Sequence, residues 1–143
     1  MKFIWLLLLA IVLSTQLMSN GVAIFDAEDG YCFQLVNSDV NVVIENQVSI
    51  VTSTQTFKND EDFPHFVKYA FPLFEDASAT GLRWFVENTW FEAEISPTVQ
   101  DSTMPGPGET AANLEDFLGS TPLYFNIPQG VQPDSLLKVE LTY

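Results

Sequence analysis

The sequence predicts an all-β protein, an antiparallel β-sandwich of about seven to eight strands with at most one short helix, preceded by a signal peptide. Three observations predict it. Residues 48–59, VSIVTSTQTFKN, alternate cleanly and are rich in β-branched side chains, which suit a pleated surface and lose freedom in a helix. Shorter alternating runs recur along the chain, each closed by turn residues. Helical spacing is confined to one segment, residues 109–118.

The chain opens on Lys2, followed by the apolar run FIWLLLLAIVL at 3–13 and a more polar stretch. This is the order of a secretory signal peptide, and the run is shorter than the roughly 20 residues a membrane span needs. Small residues at Gly21 and Ala23 give a G-V-A cleavage pattern that ends the leader at residue 23, with Ser19 an earlier candidate. The protein is therefore expected to be secreted or held in the cell envelope. Residues 24–35 are expected to be a lead-in and first strand, and 36–143 the domain proper. What remains suits a single core.

After the leader the basic residues are Lys58, Lys68, Arg83 and Lys138, against nineteen acidic ones; with Lys2 counted, the whole chain carries a net charge of -14. Such a surface repels phosphate backbones and anionic lipid heads, so neither a nucleic-acid partner nor membrane contact by the domain is expected. Cys32 is the only cysteine, so no disulfide framework holds the domain and its core must. It reads as a buried thiol in the apolar run 31–36, the alternative being a bond to another chain.

In order, residues 31–36 form a first strand and Asn37, Ser38 and Asp39 a turn. A strand at 40–44 places Val40, Val42 and Ile44 on one face, and Glu45-Asn46-Gln47 turns it back as a hairpin into the long strand. There Val48, Ile50, Thr52, Thr54 and Thr56 point one way, and Ser49, Val51, Ser53, Gln55 and Phe57 the other. A polar connector at 58–62 continues through Phe63, Pro64 and His65. Residues 67–73 alternate, with Val67, Tyr69 and Phe71 on one side, and Pro72 either ends this strand or puts it on an edge.

Strands at 82–86 and 89–95 flank Glu87-Asn88 and form the most aromatic hairpin, with Trp84, Trp90 and Phe91. Prolines and glycines break any pattern across 96–108. The helix at 109–118 has Thr110 as a candidate cap, Ala111, Leu114 and Leu118 as its stripe, and Gly119 as its stop. A strand at 123–127, a turn at 128–134 and a strand at 135–143 complete the chain. Ending on a strand residue suggests a fragment, or the first domain of a longer protein.

Four short motifs stand in order: Gln55, Phe57 and Asn59 in QTFKN; Tyr69, Phe71, Pro72 and Leu73 in YAFPL; Gly81 in TGL; and Val139, Leu141 and Tyr143 in VELTY. In sequence and spacing they resemble the vault protein inter-alpha-trypsin (VIT) domain, over residues 36–143. The resemblance implies a β-sandwich interaction module without catalytic residues, commonly exported and commonly placed before a von Willebrand factor type A domain. That domain, or another protein, is the partner it implies. One departure is the proline-broken stretch before the helix, where many members carry a charged helix with alanine and tyrosine at helical spacing. Phe57 and Phe71 read as inward aromatics of facing strands, Gln55 as a half-buried amide bonded to loop backbone, and Gly81 as a turn glycine with positive φ.

No catalytic constellation, cofactor site or metal site is expected. His65 is the only histidine, in an ordinary loop setting with no G-x-S-x-G elbow anywhere. The carboxylates Asp26, Glu28 and Asp29, then Asp60, Glu61 and Asp62, then Glu75 and Asp76, lack EF-hand spacing and read as solvated loops. Asp76-Ala-Ser78-Ala-Thr80 has the D-x-S-x-T form of a metal-ion-dependent adhesion motif, but without the βαβ setting that motif needs. The leading function is thus a non-enzymatic interaction module. The alternative is an adhesin-like or carbohydrate-binding sandwich that stacks sugars on Trp84, Trp90 and Phe91.

Overall fold

The computed structural model describes residues 21–25, 31–94 and 108–143. Along them run β1 (Val22–Phe25), β2 (Tyr31–Cys32), β3 (Gln34–Glu45), β4 (Val48–Lys58), β5 (His65–Pro72), β6 (Gly81–Val86), β7 (Thr89–Glu92), α1 (Gly108–Leu118), β8 (Pro122–Val131) and β9 (Leu136–Thr142). Two antiparallel sheets result, one ordered β2-β1-β5-β8 and the other β3-β4-β9-β6-β7. They stack as a sandwich.

Alternation decides what lies between them. From the first sheet Ala23, Val67, Tyr69 and Phe71 point inward, and from the second Phe57, Trp84, Val139 and Leu141 meet them. Phe57 and Tyr69 touch edge-on at 6.2 Å between ring centroids, across the two sheets. Burying rings of this size contributes about 2 kcal/mol each, so a handful dominates a core this small. The other face of the first sheet is covered as well: Leu118 of α1 is buried against Ile24 and Ala70, with Leu114 and Phe117 alongside. The amide of Gly119, at φ 74, donates to Glu115 O at 3.0 Å and closes the helix in the left-handed conformation that glycine adopts without strain.

Both predicted hairpins form on two-residue turns with positive φ, Asn46-Gln47 and Glu87-Asn88. That geometry matches the twist of the flanking strands. Pro72 ends β5, as its missing donor requires.

Elsewhere the structure corrects the sequence reading. Among the described residues nine strands form, because residues 22–25 make β1 and Phe33 divides the first expected strand into β2 and β3, its own amide donating to Ala23 O at 2.8 Å. Residues 37–39 are not a turn. They continue β3 against β4, and the pairing shifts between Leu35 and Asn37, so Val36 is a bulge that resets the alternation. Residues 128–131 stay in β8, where Pro128 is tolerated because β8 is an edge strand. Gly81 opens β6 without positive φ, and a Cβ there would meet Thr142 only at 3.8 Å. Thr110 lies inside α1, which begins at Gly108.

Two side chains also change place. Cys32 is exposed, since β2 is two residues long and sits on a sheet edge, although the protein volume around it still pushes the thiol up from its ordinary value. His65 is only 8% exposed, because β5 begins earlier than the alternation suggested and sets the ring between Phe33 and Phe63, with centroids 6.2 and 4.8 Å away. Residues 1–20 of the expected leader with Ser19, the carboxylates at 26–29 and residues 96–107 of the broken stretch lie outside the described residues.

Candidate interaction surface

The motif residues lie in or beside β4, β5, β6 and β9, and two of them, Gln55 and Asn59, build joints inside the sandwich. Gln55 is fully buried rather than half-buried. Its Oε1 accepts from the Tyr69 hydroxyl at 2.7 Å and from the Gly21 amide at 3.1 Å, so one side chain ties β4 to β5 and to the segment entering β1. Desolvation pushes the Tyr69 phenol far above the ordinary tyrosine range, with Tyr143 adding electrostatically. Phe71 packs against Tyr143 at 5.4 Å, and Leu73 lies against the edge of the same core.

Asn59 is the second joint. Its Nδ2 donates to Val131 O at 2.9 Å and to Phe63 O at 3.0 Å, and its Oδ1 accepts from the Glu61 amide at 3.0 Å. Its backbone exchanges bonds with the turn before β9, donating to Ser135 O and accepting from the Asp134 amide. A lone asparagine after a strand gives no sequence signal for such a role. Gln55, Phe57, Asn59, Tyr69, Phe71, Val139 and Leu141 are buried, and Pro72, Leu73, Gly81 and Tyr143 are half-buried.

The aromatic hairpin does not form a stacking platform. Trp84 is 4% exposed, its indole Nε1 donating to Gln129 Oε1 at 2.7 Å, and Phe91 stacks on it from the same inner side at 5.8 Å. Only Trp90, 43% exposed, faces outward. There Arg83 lies over its ring at 4.5 Å and Phe85 packs beside it. Residues paired across β6 and β7 alternate faces, so three aromatics close in sequence are divided between core and surface. The proposed sugar site therefore loses two of its three residues.

No group of three or more histidine, cysteine, aspartate or glutamate side chains able to hold a metal exists among the described residues. Asp60, Glu61, Asp62, Glu75 and Asp76 are all exposed, Asp60 pairing with Lys58 at 2.7 Å. Asp76, Ser78 and Thr80 are exposed in the loop between β5 and β6, and the Thr80 hydroxyl donates to Thr142 O.

One surface stands out from the rest. β3 and β4 pair from Gln34↔Lys58 to Glu45↔Val48, but β9 and Tyr143 after it flank β4 only from Val51 to Lys58. The hairpin thus overhangs the sandwich. Val40, Val42 and Ile44 share the inward face with Gln55 and Phe57, yet Val42 is 51% and Ile44 73% exposed because the opposite sheet does not reach them. Val43, Val48 and Ile50 are exposed on the other face. Among the described residues β3 is also the edge strand of its sheet, 12 residues long. Its charges are Asp39 and Glu45 alone, and Asp39 accepts from Asn37 Nδ2 at 2.7 Å.

A long, apolar edge strand can pair with an added strand or seat an apolar partner face. The sequence reading missed it by placing a turn at 37–39; in the structure two successive strands of 12 and 11 residues outrun every other described strand, and part of the pair projects. No helix among the described residues is long and apolar enough to cross a membrane.

Comparison with known proteins gives one match. The family model of the vault protein inter-alpha-trypsin domain matches residues 35–143. No curated protein and no solved structure matches the chain. The matched span runs from the start of β3 to the end of the chain and contains the second sheet, β5, β8 and all four motifs. Domains of this kind are protein–protein modules of inter-alpha-trypsin-type proteins, a non-catalytic family that is extracellular in general. On a match over three quarters of its length, the chain belongs to the vault protein inter-alpha-trypsin domain family.

Proposed function

We propose that the protein is an exported, non-enzymatic interaction module that docks a von Willebrand factor type A domain through the overhanging β3–β4 hairpin. The observation that carries this reading is the exposure of Val40, Val42, Ile44, Val48 and Ile50 on one projecting ribbon that ends its sheet among the described residues. Monomeric surfaces seldom leave such a patch uncovered without a use for it.

The position of Tyr143 supports the choice of occupant. Its backbone exchanges two hydrogen bonds with Val51, at 2.8 and 2.9 Å, so a domain following in the chain would start at the foot of the ribbon. The net charge of -14 works against a second copy, because the two surfaces would repel. The partner class is the one the family resemblance implies, and the leader-like start is what favours export.

Titration calorimetry with a von Willebrand factor type A domain supplied in trans tests the reading. The native chain is expected to bind, and a Val42→Lys, Ile44→Lys variant to bind at least about tenfold more weakly, a loss of about 1.4 kcal/mol. Equal binding by both would move the interface off the ribbon. No binding by either would remove this partner class.

A further inference from the structure

The small residues that mark the end of the leader have a different explanation in the fold. Gly21 is buried where a Cβ would sit 2.5 Å from the Tyr69 hydroxyl and 2.8 Å from Gln55 Oε1, so only glycine fits. Ala23 has no exposed surface and occupies the inner face of β1, opposite Tyr69 in the register, where a larger side chain would meet the core. The pattern G-V-A at 21–23 is thus what close packing demands. It need not be a peptidase signal.

β1 is an interior strand. It lies between β2 and β5, pairing Val22 to Phe25 with Ala70 to Val67 on one side and Ile24 and Phe25 with Cys32 and Tyr31 on the other. Ile24 on its outer face is 1% exposed and meets Leu118 of α1. A cut after Ala23 would delete half the strand, empty the Ala23 site and leave a charged amine on buried Ile24. A cut after Asn20 would put a charged amine on buried Gly21, against Gln55 Oε1. Either places an ammonium where little water can reach it.

We propose that the leader is removed between Ser19 and Asn20, so that the mature chain keeps Gly21 and uses residues 22–25 as its first strand. Ser19 supplies the small residue on the leader side of the bond. The site rests on the export reading above, and a segment is thereby reassigned from signal to core.

Two measurements separate the claims. Intact mass and N-terminal sequencing of the full chain after secretion should find Asn20 first; a folded product beginning at Ile24 overturns the proposal. An uncleaved chain overturns both this cut and the export reading beneath it. Chains started at Asn20 and at Ile24 without a leader test the strand itself. The shorter one is expected to be cut by protease at least about tenfold faster, because cleavage tracks the population of open forms. Equal resistance would show that β1 is dispensable and would overturn the structural basis of the cut.

Discussion

The Tyr69 hydroxyl donates to Gln55 Oε1 at 2.7 Å across the middle of the sandwich, with neither side chain exposed. Tyr69→Phe removes one donor and leaves Gln55 bonded to Gly21, so a loss of about 1–2 kcal/mol is expected. Gln55→Met strands both the hydroxyl and the Gly21 amide, and should cost about 2–4 kcal/mol. Urea denaturation of the two variants and their double mutant checks this, and the pair should be strongly non-additive. Additive losses would mean that the bond contributes nothing.

The same phenol sets a pH dependence. Its folded value lies above the ordinary 10.0, so above that pH the unfolded chain releases a proton that the folded chain keeps. The stability this group contributes is complete below pH 10 and is lost as pH rises beyond it. Tyr69→Phe should therefore flatten the fall of stability between about pH 10 and 11.5, read from denaturation midpoints. An unchanged slope would place the titration elsewhere.

Asn59 allows a sharper substitution, since Asp has the same shape and lacks the donors. In Asn59→Asp the carbonyls of Val131 and Phe63 lose their partner and face a buried carboxylate. A loss of more than about 2 kcal/mol is expected at neutral pH, with part of it recovered on acidification, when a protonated carboxyl can donate to one carbonyl. A change below about 0.5 kcal/mol, typical of a surface site, would sink the idea that Asn59 joins β4 to β8.

Much of the architecture was legible because alternation and proline act locally. The faces of β4, the stop at Pro72 and the turn at Glu87-Asn88 follow from neighbouring residues alone. The failures share a cause in tertiary context. Asn37, Ser38 and Asp39 are turn formers, but β4 is long enough to pair with all of them, and the bulge at Val36 hides the continuity. Gly21 and Ala23 are small because Tyr69 approaches them, which cannot be known before β1 is placed beside β5. Of the candidate surface, the apolar alternation of Val40, Val42 and Ile44 was read correctly as one face. That the face projects past the opposite sheet was not written in the residues themselves.

Gly119 tests a purely backbone requirement. Its φ is 74, and nothing lies within 4 Å of where a Cβ would be. Gly119→Ala should cost about 1 kcal/mol, from left-handed strain alone, and Gly119→Asn less, since asparagine tolerates that region better. Thermal unfolding of the two variants checks the order. A larger loss for Asn than for Ala would argue that something other than φ selects glycine.

The overhang makes a paired prediction about valines that a sequence pattern treats alike. Val42 and Val139 both lie on inward faces of the second sheet, but Val42 is 51% exposed and Val139 is 1% exposed. Truncating Val139 to alanine removes buried methyl groups and leaves a cavity, for a loss of about 2 kcal/mol or more. Val42→Ala removes the same atoms from a site already wet, and should change stability by less than about 0.5 kcal/mol. If a partner covers the ribbon, its addition should restore a cost to Val42→Ala, since the methyl groups then leave water. Measuring both variants with and without the partner separates a residue kept for folding from one kept for contact. A large loss at Val42 in the free protein would mean that the ribbon is already covered by its own chain.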